Sequence, residues 1–181
     1  MKVKMLISKY QRFLITFFLF LCGYLFLKPF LKSVSLSLGF MMTAILLLSL
    51  RFIKNSSDKL RWRSGDALLI GLAQIAAFVP GVSRFGATYV IARVRKISGY
   101  NAFAISFIAS LPLDIAGFFI GLVQLRCGLL SCFTIASYFY IVISAAGSYL
   151  LLCLVLYLIK RGRLWWLGWY MLLPTVLALF M

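Results

Sequence analysis

The sequence holds no glutamate and no histidine, and its 181 residues carry three acids in all, Asp58, Asp66 and Asp114. Those absences remove whole classes of chemistry. A Ser-His-Asp triad needs an imidazole base, a His-ligated zinc or haem site needs imidazole ligands, and a paired-glutamate glycosidase needs two glutamates. Charge is scarce, 12% of residues against roughly a quarter in soluble domains, whereas 64% are hydrophobic. A water-soluble chain of this size lacks the polar surface to cover such a core. With a mean hydropathy of +1.06 and long apolar runs, the solvent implied is the bilayer. The expectation is an all-α, multi-pass integral membrane protein forming one domain over residues 1–181.

The charge that is present is lopsided, with 19 Lys and Arg giving a net charge of +16. The basic residues are scattered between apolar runs and form no single stripe, so nucleic acid is not an expected partner. They read as loops obeying the positive-inside rule. Cys22 and Cys153 lie inside apolar runs, where a thiol behaves as a small hydrophobe. Cys127 and Cys132 flank one short loop and pair only if it faces an oxidising compartment. The basic start, Met1 to Arg12, and apolar Phe13–Leu27 are similar to a signal peptide, but no small-residue cleavage site follows. A retained first span is expected.

Five apolar stretches are long enough to cross a bilayer, about 13–27, 34–53, 100–123, 131–159 and 164–181. Trp165, Trp166, Trp169 and Tyr170 cluster at the start of the last, as an interfacial aromatic anchor does. The segment at about 66–97 differs: Asp66–Val79 is apolar but short, Pro80–Thr88 interrupts it, and a second short helical stretch runs to about Arg93. Irregular backbone at membrane depth survives only when buried in protein or lining a wet cavity. A re-entrant helical hairpin is therefore expected, entering and leaving on one face. With a cytoplasmic N-terminus, that topology leaves Lys28, Lys32 and Arg126 as the basic residues of the outer face. A complete crossing would put the basic groups at 93–96 and 160–163 outside, against the rule.

The break carries the residues that can do chemistry. Gly81 and Gly86 let backbone approach an anion, and Ser83 can cap the half-helix whose positive end faces the same spot. Arg84 offers a planar fork of donors for bidentate phosphate contact, and Thr88 adds a hydroxyl one turn on. Together they describe an oxyanion site with a fixed charge inside a membrane. A plainer reading pairs Arg84 with Asp114, exposed to the protein interior by a break at Pro112, so that the two staple helices together. The two readings are compatible.

Pro80-Gly81-x-Ser83-Arg84-x-Gly86-x-Thr88 resembles the PGxSRSGxT motif of the undecaprenyl-diphosphatase family, the bacitracin-resistance phosphatases of bacteria. The lead-in DALLIGLAQIAAFVPG, with Asp66, Gly71 and Gln74, and the later ISFIASLP are similar to the family's flanking segments, and the resemblance runs from about residue 12 to the end. It implies a bacterial inner-membrane enzyme that removes a phosphate from an isoprenoid diphosphate lipid, making the lipid carrier for peptidoglycan precursors. The implied fold is an inverted repeat with two re-entrant hairpins. By the same resemblance Ser83, Arg84 and Thr88 bind or attack the diphosphate, Gly81 and Gly86 shape the loop, and Mg²⁺ or Ca²⁺ is the expected cofactor, although no metal ligand set is visible in this chain.

The sequence departs from the family in three places. The paired glutamates and the histidine of the family's N-terminal repeat have no counterpart here, so a partner chain or an upstream segment is expected to supply that half. The second serine of the motif is Phe85, and Asp114 stands where the family has an apolar residue, which makes it the candidate intramembrane carboxylate. Two other readings stay open: a non-catalytic binder or transporter of polyprenyl phosphate lipids, and an assembly partner with no ligand.

Overall fold

A chain this apolar must satisfy its backbone polar groups within itself, and helix does that inside one segment. The structure, a computed structural model, describes residues 35–53, 64–128 and 135–180, which form helices and the turns between them, with no strand among them. Helix α1 spans Leu36–Ser49 and tightens into a 3₁₀ turn, Leu50–Phe52. Helices α2 (Ser64–Ala76) and α3 (Arg84–Val94) form an antiparallel hairpin. Helix α4 runs Gly99–Gly128 and α5 runs Ile135–Lys160, followed by two short helices, α6 (Trp166–Tyr170) and α7 (Leu172–Leu179).

Helix α3 is the centre of the packing. Gly86, Ala87, Thr88, Tyr89, Val90, Ala92 and Arg93 are all buried, so nearly its whole circumference is covered. Its neighbours are α1, α2 and α4, and the core around it joins Ile70, Tyr89, Ala92, Ile97, Ala102, Ile159 and Leu164. The two arms of the hairpin are tied at their open end, where Arg95 Nε donates to Asp66 Oδ1 at 2.5 Å and the carboxylate is buried. At about 1.5 Å per residue, the described lengths of α2 and α3 are about 20 and 17 Å.

Helices α4 and α5 are the two described helices long and apolar enough to cross a membrane, over Gly99–Val123 and Tyr138–Lys160. The first third of α4 packs on α3, with Ala102 and Ser106 buried; beyond Ser110 most of its apolar side chains, and those of α5, point away from the described part of the protein. Pro112 lies inside α4. It withholds the N–H that Ile108 O would accept and crowds that turn, and Gln74 Nε2 reaches across from α2 to donate to Ala109 O at 2.8 Å.

Within the expected last span at 164–181 the described residues form two short helices that meet at Met171. Pro174 explains the break, since it cannot donate to Tyr170 O and so tolerates only the first turn of a new helix. The expected span at 34–53 is helix, but only through Phe52. The expected first span at 13–27, the polar connector at 54–63 and the side chains of Cys22, Cys127 and Cys132 lie outside the described residues.

Candidate functional site

The hairpin tip is a tight turn built by two residues chosen for their backbones. Val82 N–H closes it on Val79 O at 3.0 Å. Pro80 presets one central position, and Gly81 takes the other at φ +87°, a left-handed conformation that side chains resist. Ser83 then caps α3: its backbone is extended and its Oγ accepts from Gly86 N–H at 3.1 Å. That leaves the N–H groups of Arg84 and Phe85 at the helix start without an intrahelical acceptor, together with the positive end of the helix dipole.

The tip is held against α1. A Cβ on Gly39 would run into Pro80 O, and one on Gly81 would lie 2.5 Å from Leu36 O and 2.9 Å from Phe40 N, so the two backbones touch only because both positions are glycine. Thr43, 1% exposed, locks the contact. Its Oγ1 accepts from Ser83 N–H at 2.9 Å and offers its proton to Gly81 O at 3.0 Å or to Gly39 O in its own helix at 3.1 Å. Down the pair the register continues, with Leu47 beside the Gly86 position, so α1 and α3 run parallel.

Gly81, Ser83, Arg84, Gly86 and Thr88 are thus gathered at one turn and the helix it starts. The Arg84 side chain is half-buried, and its guanidinium makes no hydrogen bond or ion pair among the described residues. Thr88 is buried with its hydroxyl turned back on its own helix, donating to Arg84 O at 2.8 Å or Phe85 O at 3.2 Å. It braces the turn that carries Arg84. Asp114 is exposed on α4 and forms no ion pair with Arg84, so the helix staple is not made. Phe85, where the motif has serine, opens a run of ring contacts: it stacks on Tyr89 at 5.8 Å and meets Phe103 edge-on at 5.6 Å, and Phe103 stacks on Phe107. The position therefore joins α3 to α4 by packing.

Sequence reasoning missed Gly39 and Thr43. The signal was present as two small residues four apart on an apolar helix, the pattern that lets backbones approach within a membrane. Among the described residues no three His, Cys, Asp or Glu side chains converge.

Comparison with known proteins agrees with the motif. The model of a family described as bacitracin resistance protein BacA matches residues 4–177. An undecaprenyl-diphosphatase of Thermotoga petrophila is 28% identical over 148 residues, covering 79% of this chain and 57% of that protein. One from Desulforudis audaxviator is 36% identical over 91 residues, covering 50% of this chain and 35% of the relative. Undecaprenyl-diphosphatase 2 of Bacillus thuringiensis is 28% identical over 101 residues, 55% of this chain and 37% of the relative. The chain thus spans between about a third and just over half of the length of these curated relatives. No solved structure matches it.

Proposed function

From a chain that belongs to the bacitracin resistance protein BacA family, a family of integral membrane proteins, we propose a role on undecaprenyl diphosphate, the hydrolysis to lipid phosphate and inorganic phosphate for which its relatives are named. The observation that carries this reading is Arg84, a half-buried guanidinium without a protein partner among the described residues, set at the start of α3 beside the N–H groups of Arg84 and Phe85 that the Ser83 cap leaves open. An arginine inside a membrane costs about 2.5–3.5 kcal/mol even on insertion scales. An anionic ligand offsets that cost; Asp114 does not.

In this reading the terminal phosphate lies against the turn, with Arg84 on two of its oxygens and the N–H groups of Arg84 and Phe85 on a third. Hydrolysis forms a bond from a water oxygen to the terminal phosphorus and breaks the bond to the bridging oxygen, which leaves on the lipid phosphate. In the transition state negative charge is spread over the three non-bridging oxygens of the transferring phosphoryl group, and a fixed guanidinium and helix end stabilise it there without reorganising. Ser83 retains its own proton to donate to the phosphate, Thr88 positions Arg84, and Asp114 is the candidate for proton handling from α4. A partner chain or further segment supplies the remaining acids.

The depth of the site supports a re-entrant hairpin. Gln74, near the end of α2, meets α4 at Ala109, ten residues into that helix and so about 15 Å along it. If α4 crosses from Gly99, the tip ends near the middle of the bilayer. Arg51, Arg93, Arg95, Lys96, Lys160, Arg161 and Arg163 all lie at the opposite, open end of the hairpin, which the positive-inside rule makes cytoplasmic. The bacterial inner membrane, a cytoplasmic N-terminus and a total of about five spans complete the proposal.

The test is phosphate release from undecaprenyl diphosphate in detergent micelles by the purified chain, with and without Mg²⁺ or Ca²⁺. Arg84→Ala is expected to lower release about 10²–10³-fold, as removal of a preorganised oxyanion donor does. Release untouched by Arg84→Ala would overturn the assignment. Lipid bound through Arg84 with no release would leave the chain a carrier-lipid binder.

A further inference from the structure

Helix α3 has a second polar end. Nine residues below Arg84, about 14 Å along the helix, Arg93 sits 6% exposed, with Nη1 donating to Ile97 O at 2.8 Å. Beside it is a cavity of about 180 Å³, walled by the ends of five elements and lined by Arg51, Tyr89, Arg93, Gly99 and Trp165 among others. That is several times the roughly 30 Å³ share of one liquid water, enough for a small hydrated anion.

Four features of the lining agree. Two arginines, Arg51 and Arg93, line it and none of its lining residues is acidic. The Arg51 guanidinium is fixed over the Trp165 ring, 5.2 Å from its centroid, which limits its rotamers. Gly99 places the start of the 30-residue helix α4 in the wall, adding its positive dipole end. Tyr89 is 3% exposed, and its hydroxyl makes no hydrogen bond among the described residues. Buried phenols normally find a partner. Its oxygen lies 3.5 Å from where a Cβ on Gly99 would be, at the cavity wall.

We propose that this cavity binds a phosphate-class anion, as a lipid phosphomonoester headgroup or as inorganic phosphate. A tetrahedral dianion presents several acceptor oxygens, enough to engage two arginine forks and one phenolic proton together. Trp165 and Trp166 stand beside the cavity as an interfacial belt does, which places it at headgroup depth. The site is separate from the hairpin tip and does not depend on the function proposed there.

The experiment measures retention of radiolabelled inorganic phosphate by the full chain in nanodiscs, in an Arg84→Ala background so that the tip does not contribute. Saturable retention is expected, weakened about tenfold or more by Tyr89→Phe and by Arg51→Gln, since a hydrogen bond to a charged group is worth that much. Tyr89→Phe keeps the ring stack on Phe85, and helicity checked by circular dichroism excludes misfolding as the cause. Nanodiscs containing phosphatidic acid that displace the label, where phosphatidylglycerol does not, identify a lipid phosphomonoester as the occupant. Retention that neither lipid displaces identifies free phosphate. No saturable retention by the helical chain, retention indifferent to both substitutions, or equal displacement by the two lipids overturns the proposal.

Discussion

Thr43 does with one hydroxyl what the hairpin tip cannot do for itself. The turn at Pro80–Gly81 leaves Ser83 N–H and Gly81 C=O facing a buried helix surface, and Thr43 Oγ1 meets both. Thr43→Val keeps the shape and removes the partners, so each group is left unsatisfied at about 1–3 kcal/mol. Thr43→Ser restores them. The expected result is a lower unfolding temperature and reduced phosphate release for valine, with serine near the parent on both. Gly39→Ala acts on the same contact through sterics, because the new methyl meets Pro80 O. It should reduce release even where the helices survive. Equal release from parent, Thr43→Val and Gly39→Ala would show that docking the tip on α1 is not needed for the chemistry.

Helices α3 and α5 end in the same six-residue loop, and one uses the wrong residue for it. After α5, Gly162 takes φ +65°, with Arg163 N–H on Leu158 O at 2.8 Å and Gly162 N–H on Ile159 O at 3.0 Å. After α3, Lys96 takes φ +61°, with Ile97 N–H on Ala92 O at 3.1 Å and Lys96 N–H on Arg93 O at 2.9 Å. Glycine carries no Cβ penalty there, while lysine does. Lys96→Gly is expected to stabilise the chain by about 1 kcal/mol, read as a raised unfolding temperature in detergent. A fall instead would assign the lysine side chain a stabilising contact. The start of α3 was legible, because Pro80, Gly81 and Ser83 each announce a backbone state. Its end was not, since nothing in Arg-Lys-Ile marks a left-handed residue. The break before α7 was legible in principle from Pro174, but the apolar run around it reads as one continuous span.

At the scale of the molecule, the sequence exposes whatever the bilayer punishes and conceals what it ignores. Broken helix and buried charge at membrane depth are costly, so the hairpin and Arg84 stood out among apolar runs. Packing between apolar helices is driven by close fit, since lipid is as apolar as leucine. Hydrophobic periodicity therefore says little about neighbours, and neither the docking of the tip on Gly39 nor the ring contacts from Phe85 was visible. The hairpin's two arms meet at Asp66 and Arg95, which makes its topology testable with residues outside the site. In a chain with Cys22, Cys127, Cys132 and Cys153 replaced by serine, single cysteines at exposed Gly65, Lys96 and Arg161 mark the open end, and one at Val123 marks the far end of α4. If the hairpin is re-entrant, Gly65→Cys, Lys96→Cys and Arg161→Cys react with an impermeant maleimide from the cytoplasmic face of inverted vesicles. Val123→Cys is then protected there and reacts in vesicles of the opposite orientation. Labelling of Gly65→Cys and Lys96→Cys from opposite faces would mean that the segment crosses completely. It would also place Arg84 along a continuous span, where a membrane-depth phosphate site at a helix break no longer has a basis.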